Sequence, residues 1–343
     1  MGRKPLQGAS VGKKGDSAPI INTRESLLVP TGATLLNLAL SGKTHGAFKP
    51  GTLVNIVGDS SAGKTFLAWS VFAEMVYDKR FDDWDLIYDD VESKLQLSVR
   101  KLFGPKITRV EKLDEDERSE LIEQFADRIF KQLKKKRPFV YVLDSFDALS
   151  DAEEAEKEEL KRDYPAKPRL ASQLFRMVCS DLEKTESVLI VVSQTRDAIG
   201  VMFGSKKRRS GGNALRFYCM QELWLAVRGH IKRRKRDVGV DVLAKAKKNH
   251  LTGRLETVGF PILVDYGVDD IGSMIDWLVS EGFWKKKTKQ TIDAKEFGEG
   301  RRESLITQFD EDRGKLEELR EAVGSCWQEI EESIATKRRP KYE

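Results

Sequence analysis

Gly58-Asp59-Ser60-Ser61-Ala62-Gly63-Lys64-Thr65 has the residue types and spacing of a phosphate cradle. Its two glycines let backbone N–H groups close around an anion, and a helix starting just after them points its positive end at the same anion. Lys64 can then reach the β- and γ-oxygens of a nucleoside triphosphate, and the Thr65 hydroxyl can ligate Mg2+. The cofactors implied are ATP and Mg2+.

Acidic and amide positions further along the chain could complete such a site. Asp144 ends the apolar run Phe139–Leu143 and stands where a second Mg2+-shell carboxylate is needed, although a strand-end aspartate can also simply cap a helix. Glu92 is the candidate base for orienting the attacking water, with Asp89 and Asp90 beside it leaving the choice among three carboxylates open. Gln194 follows Ser193 at the end of another apolar run, where it can sense a γ-phosphate. The catalytic candidates are thus Lys64, Glu92 and Gln194, and the metal candidates Thr65 and Asp144.

The elements that must position these residues are legible in the hydrophobic pattern. Short β-branched runs at 52–57, 85–88, 139–143 and 187–192 read as buried strands. Helical patterns at 66–77, 113–135 and 169–183 alternate with them. The fold class expected is α/β: a mainly parallel central sheet covered by helices on both faces, of the P-loop ATPase kind. Runs at 222–227, 240–245 and 257–264 are more polar and suit edge or antiparallel strands. A helix is expected at 271–280, a basic break at 285–289 and one amphipathic helix over 303–334, packed on the core or on a partner. The divisions predicted are a flexible basic arm over 1–27, a core over 28–284, and a charged linker with a helical segment over 285–343.

Composition narrows the function class. The chain has 343 residues, 34% of them charged, and a net charge of +5. No uncharged apolar run is long enough to span a membrane, and the N-terminus lacks a secretory signal pattern. Cys179, Cys219 and Cys326 are far apart and give no metal or disulfide spacing, which fits a reducing, cytoplasmic setting. Between Ser205 and His250 there are 14 Lys/Arg against 3 Asp/Glu. Such a stripe suits a phosphate polyanion, because each neutralised phosphate releases counterions; a solvated basic surface is the bland alternative.

Residues 192–218, VSQTRDAIGVMFGSKKRRSGGNALRFY, resemble the second DNA-binding loop of the RecA family and the helix after it. Pro30–Gly42 resembles the segment before that family's phosphate loop, and Arg169, Ser172, Gln173 and Arg176 match the helix after its first DNA loop. The resemblance covers about 28–284. It implies an ATP-dependent recombinase that forms helical filaments on single-stranded DNA, pairs it with homologous duplex DNA, and cooperates with a single-strand-binding or mediator protein. It also implies DNA contacts from Arg169, Ser172, Arg176, Arg196, Met202, Phe203, Lys206, Lys207, Arg208, Arg209, Gly211 and Gly212. Met202 and Phe203 would wedge against bases or else anchor the loop on its own domain. Phe217 would lie at a subunit interface, and Lys248 would reach a neighbouring subunit's nucleotide.

The chain departs from that pattern in places. His250 replaces a second lysine, Val99 falls near an adenine-stacking aromatic, and the acidic 151–159 stretch differs from the first DNA loop. The compact plan resembles phage-type, UvsX-like recombinases more than the full bacterial protein. Two other function classes stay open: a ring-type helicase of the same fold, and a recombination mediator with slow ATP turnover.

Overall fold

The computed structural model describes residues 27–93, 98–152, 166–197, 207–209 and 212–339. Its central sheet runs in the order β10-β9-β8-β7-β1-β5-β4-β2-β3. Here β1 is Thr52–Gly58, β2 Asp85–Asp90, β3 Glu111–Lys112, β4 Phe139–Asp144 and β5 Val188–Asp197. A short β6, Lys207–Arg209, folds back antiparallel on the end of β5. β7 is Gln221–Arg233, β8 Arg236–Asn249, β9 Thr257–Leu263 and β10 Gly267–Val268. The strands from β7 through β3 in that order are parallel, and β8, β9 and β10 add antiparallel. The expected mainly parallel sheet with polar antiparallel strands at one side is thus present.

Alternation along the parallel strands feeds two cores. Val140 and Val142 of β4 face one, Phe139, Tyr141 and Leu143 the other. On the first face lie α1 (Thr34–Ser41) and α2 (Lys64–Tyr77), whose Leu67, Trp69, Phe72 and Met75 are fully buried. A short α3 (Val99–Phe103) flanks them, and its Val99 packs against this core. On the second face lie α4 (Ile122–Lys134), α5 (Ala166–Thr185) and α6 (Gly212–Tyr218).

The helix expected over 113–135 begins only at Ile122. Leu121 caps it, with the Gln124 side chain accepting from the backbone N–H groups of Glu120 and Leu121. The stretch before it is used otherwise: the Ser119 amide and hydroxyl donate to the Asp89 carboxylate at 3.0 and 2.7 Å. A tertiary bond of this kind outweighs local helix preference.

After α7 (Asp270–Ser280) the chain forms a small antiparallel sheet of β11 (Lys285–Lys286), β12 (Ile292–Asp293) and β13 (Glu299–Gly300). The basic 285–289 stretch therefore contributes a strand. The single helix expected over 303–334 is two, α8 (Arg302–Glu311) and α9 (Arg313–Ile334), because Asp312 leaves helical geometry and its carboxylate caps Lys315. Trp284, Phe309, Leu319 and Val323 join the same core as α2, and Trp327 stacks on Trp277 at 5.6 Å. Arg320 on α9 lies 3.6 Å from Asp270, whose carboxylate also accepts from the Thr34 backbone and hydroxyl.

Candidate nucleotide and nucleic-acid site

The sequence at 58–65 folds as a turn because two positions take positive φ: Ser61 at 62° and Gly63 at 85°. At Gly63 a Cβ would lie 2.4 Å from Ile262 Cδ1, so that methyl would have to move aside. At Gly58 a Cβ would come within 2.8 Å of the Leu225 carbonyl. The turn delivers the N-terminus of the 14-residue helix α2 to the carboxyl edge of the parallel sheet. A cavity of about 330 Å³ opens there, walled by Lys64, Thr65, Val240, Ile262 and Val264.

Lys64 is buried, and its ammonium donates to the carbonyls of Gly58 at 2.9 Å and Asp59 at 2.7 Å. Burial lowers its pKa, and the carboxylates of Asp144, Glu92, Asp59 and Asp147 act against that shift. The Thr65 hydroxyl donates to Asp144 Oδ2 at 2.7 Å, and the Tyr88 hydroxyl donates to the same atom at 2.9 Å. Burial raises the Asp144 pKa despite both bonds. Two hard oxygen donors therefore meet beside the cradle, which suits Mg2+ shared with phosphate oxygens. The donor chemistry, the glycine turn and the cavity together fit a magnesium nucleotide.

The three candidate bases separate cleanly. Asp89 is fully buried and held by Ser119 and by the Tyr141 hydroxyl at 2.7 Å. Asp90 faces Lys112 at 3.5 Å. Glu92 alone turns to the end of β5: its Oε1 accepts from Ser145 Oγ at 2.6 Å and from the Gln194 side-chain amide. The Gln194 backbone N–H donates to Asp147 Oδ2 at 2.6 Å, and Thr195 donates to Asp59 within the cradle turn. Tyr88, Ser145, Asp147 and Thr195 escaped the sequence reading. Asp147, three residues past Asp144, was the one with a positional signal.

Beyond Gln194, β5 continues to Asp197 and pairs back with β6, Arg196 opposite Arg208. This places the backbone of Arg196, Lys207, Arg208 and Arg209 just beyond the carboxyl edge of the parallel strands, and Gly212 at the start of α6. Met202, Phe203, Lys206 and Gly211 lie outside the described residues, as does most of 151–168. On α5, Arg169, Ser172 and Arg176 share an exposed face, opposite the buried Ala171, Phe175 and Val178. Phe217 is 75% exposed. Lys248 is not at this chain's own cradle: its ammonium donates to the Arg216 and Phe217 carbonyls at the end of α6, at 2.8 and 2.9 Å.

A glycine turn between β1 and α2, a glutamine on the adjacent β5 and an acid at the end of β4, one strand further on, define a P-loop ATPase core built on a mainly parallel sheet. The profile of the RecA N-terminal domain matches residues 9–269. Protein RecA of Thioalkalivibrio sulfidiphilus is 28% identical over 97% of this chain and 90% of its own length. Protein RecA of Brucella anthropi is 30% identical over 85% and 77%, and that of Caulobacter vibrioides 29% over 89% and 83%. This chain belongs to the RecA family and is a RecA-family recombinase. Among the described residues no helix is long and apolar enough to cross a membrane.

Proposed function

We propose that the chain uses ATP binding and hydrolysis to control its grip on single-stranded DNA, and that as a filament on that strand it pairs homologous duplex DNA and exchanges strands. The observation that carries this reading is the Gln194 side chain, which bonds Glu92 while its own strand runs on into the basic β5–β6 ribbon. A change at the nucleotide is thereby transmitted, through one side chain, to the segment that would meet DNA.

In this reading Lys64 and the backbone of 58–63 hold the triphosphate, and Thr65 and Asp144 hold Mg2+, which neutralises charge on the β- and γ-oxygens. Glu92 accepts the proton of a water whose oxygen attacks the γ-phosphorus as the bond to the β-bridging oxygen breaks. Ser145 and Gln194 keep that carboxylate oriented. The apolar wall of Val240, Ile262 and Val264 takes the place that Val99 does not fill and shields the base. Arg169, Ser172, Arg176, Arg196, the 206–209 cations and Gly211–Gly212 contact the strand, with Met202 and Phe203 against its bases. Phe217 and Lys248 complete a neighbour's site on assembly. The 28–284 core acts in the cytoplasm, with a single-strand-binding or mediator protein as loading partner.

Electron microscopy with ATP and single-stranded DNA, paired with a strand-exchange assay on the same preparation, tests the reading. Helical filaments and heteroduplex product are expected. Rings without filaments would favour a helicase, and DNA pairing that survives Lys64→Ala would favour a mediator.

A further inference from the structure

β9 leaves part of its backbone open on its outer side. The Glu256 carbonyl accepts from the Ala246 amide, so in the β8–β9 register Glu256, Val258, Phe260 and Ile262 turn their backbone groups inward to β8. Thr257, Gly259 and Pro261 turn theirs outward. β10 covers that side at Ile262 and Leu263, and the Pro261 carbonyl accepts from the Asp269 amide. Thr257 and Gly259 are left facing outward with no backbone partner among the described residues.

A groove of about 770 Å³ runs along this edge. Half-buried Trp277 of α7 and Trp327 and Ile330 of α9 wall one side. Leu243 and the Arg228–Asp241 ion pair wall the other. The lining carries six acids against three arginines, and two of those acids, Glu256 and Glu281, have no ion-pair partner among the described residues. An open strand edge between two apolar walls takes an extended peptide, which adds as a strand and sends successive side chains to opposite walls.

Residues 1–26 precede the first described residue and have the matching chemistry. They hold five Lys/Arg against two Asp/Glu, and their longest apolar run, at 18–21, ends in Ile20 and Ile21. Leu35 lines the groove and follows Leu27 by eight residues, which places the groove within about 28 Å of Leu27. Ile21 precedes Leu27 by six residues, a reach of about 20 Å, and the whole arm extends up to about 90 Å.

We propose that this groove is the docking site of the chain's own residues 1–26. The 18–22 stretch adds to β9 through Thr257 and Gly259, Ile20 and Ile21 meet the two walls, and the arm's cations face Glu256 and Glu281. The docked arm bridges β9 to α9, a second tie between the C-terminal segment and the core beside that of Arg320 and Asp270. The inference is independent of the function proposed above and involves neither DNA nor nucleotide.

Amide hydrogen exchange on the full chain, free of DNA and nucleotide, tests it. The Thr257 and Gly259 amides are expected to exchange at least about 100-fold more slowly than open amides. Ile20→Asp combined with Ile21→Asp should return both to fast exchange. Val258 and Phe260, bonded to β8, should keep their protection in the same variant and so report that the fold is intact. Fast exchange at 257 and 259 in the unaltered chain overturns the proposal, as does protection that survives the double substitution. Protection that grows with protein concentration would assign the groove to a second copy and overturn it too. Loss of protection at Val258 and Phe260 along with the edge amides would mean that the arm holds the sheet itself and not this groove, which also overturns it.

Discussion

The Gln194 side chain donates to the Glu92 carboxylate, joining the end of β5 to the turn after β2 across the end of β4. A backbone bond from Gln194 to Asp147 and a hydroxyl bond from Ser145 to Glu92 hold the pair from both sides. The Glu92 carboxylate and the amide leading to the basic ribbon are therefore one unit. In the proposed function a γ-phosphate arriving beside Lys64 would compete for the same amide.

Glu92→Gln should lower ATP turnover by about 100-fold or more, the usual worth of a positioned base, while ATP and DNA binding persist. Steady-state hydrolysis alongside a nucleotide-binding titration measures both. Turnover within about threefold of the parent would move the base to another group.

That the sequence left the carboxylates at 89, 90 and 92 undistinguished has a physical reason. Asp89 is claimed by Ser119 and Tyr141, and Asp90 by Lys112, partners 22 to 52 residues away that no local pattern ties to them. The same remoteness hid the late start of α4, since the residues given up by the helix are those that cage Asp89. The strands and the cradle were legible because their signals are local: β-branched runs, and a turn with Gly63 at its left-handed position and Gly58 tight against the Leu225 carbonyl. The Asp312 break in the C-terminal helix was visible as a capping residue but lay inside an uninterrupted amphipathic stripe.

Asp144→Asn should separate stability from metal use. The folded carboxyl titrates above its ordinary value of 3.8 because it is buried. Between the ordinary and the raised value the folded chain binds the proton more tightly than the unfolded chain does, so stability falls as pH rises through that window. The amide removes this fall. The nucleotide-free variant should melt at or above the parent's temperature near pH ~7, yet lose the magnesium dependence of ATP binding. Thermal melts across pH and a magnesium titration check the two halves; a lower melting temperature together with intact magnesium dependence contradicts the assignment.

Gly63→Ala should destabilise the chain by about 1–2 kcal/mol from its left-handed φ alone, with more from the contact at Ile262. Nucleotide binding should weaken in the same variant. Equilibrium unfolding in denaturant reads the first effect, and a null result would mean that the turn is not held as described.

Arg320→Met tests whether α9 is bound into the core. The guanidinium faces Asp270, and it opposes the upward shift that burial gives both Asp270 and Glu74. Without it both carboxylates lose that cation, and only the Thr34 bonds to Asp270 remain to offset burial there, at a cost of about 3 kcal/mol near neutral pH. Carboxyls whose folded pKa is raised destabilise most above that value, so the deficit should shrink as pH falls toward the ordinary carboxylate range. Denaturant midpoints across pH would show this; a deficit that does not vary with pH would exclude the ionic explanation.

In the proposed function nucleotide state reaches the DNA-gripping segment through Gln194, and single-strand affinity with and without a non-hydrolysable ATP analogue measures that coupling. The analogue should tighten binding by about tenfold or more in the parent chain, a coupling of about 1.4 kcal/mol, and should leave Gln194→Ala near its nucleotide-free affinity. Equal affinity with and without the analogue in the parent chain would contradict the claim outright.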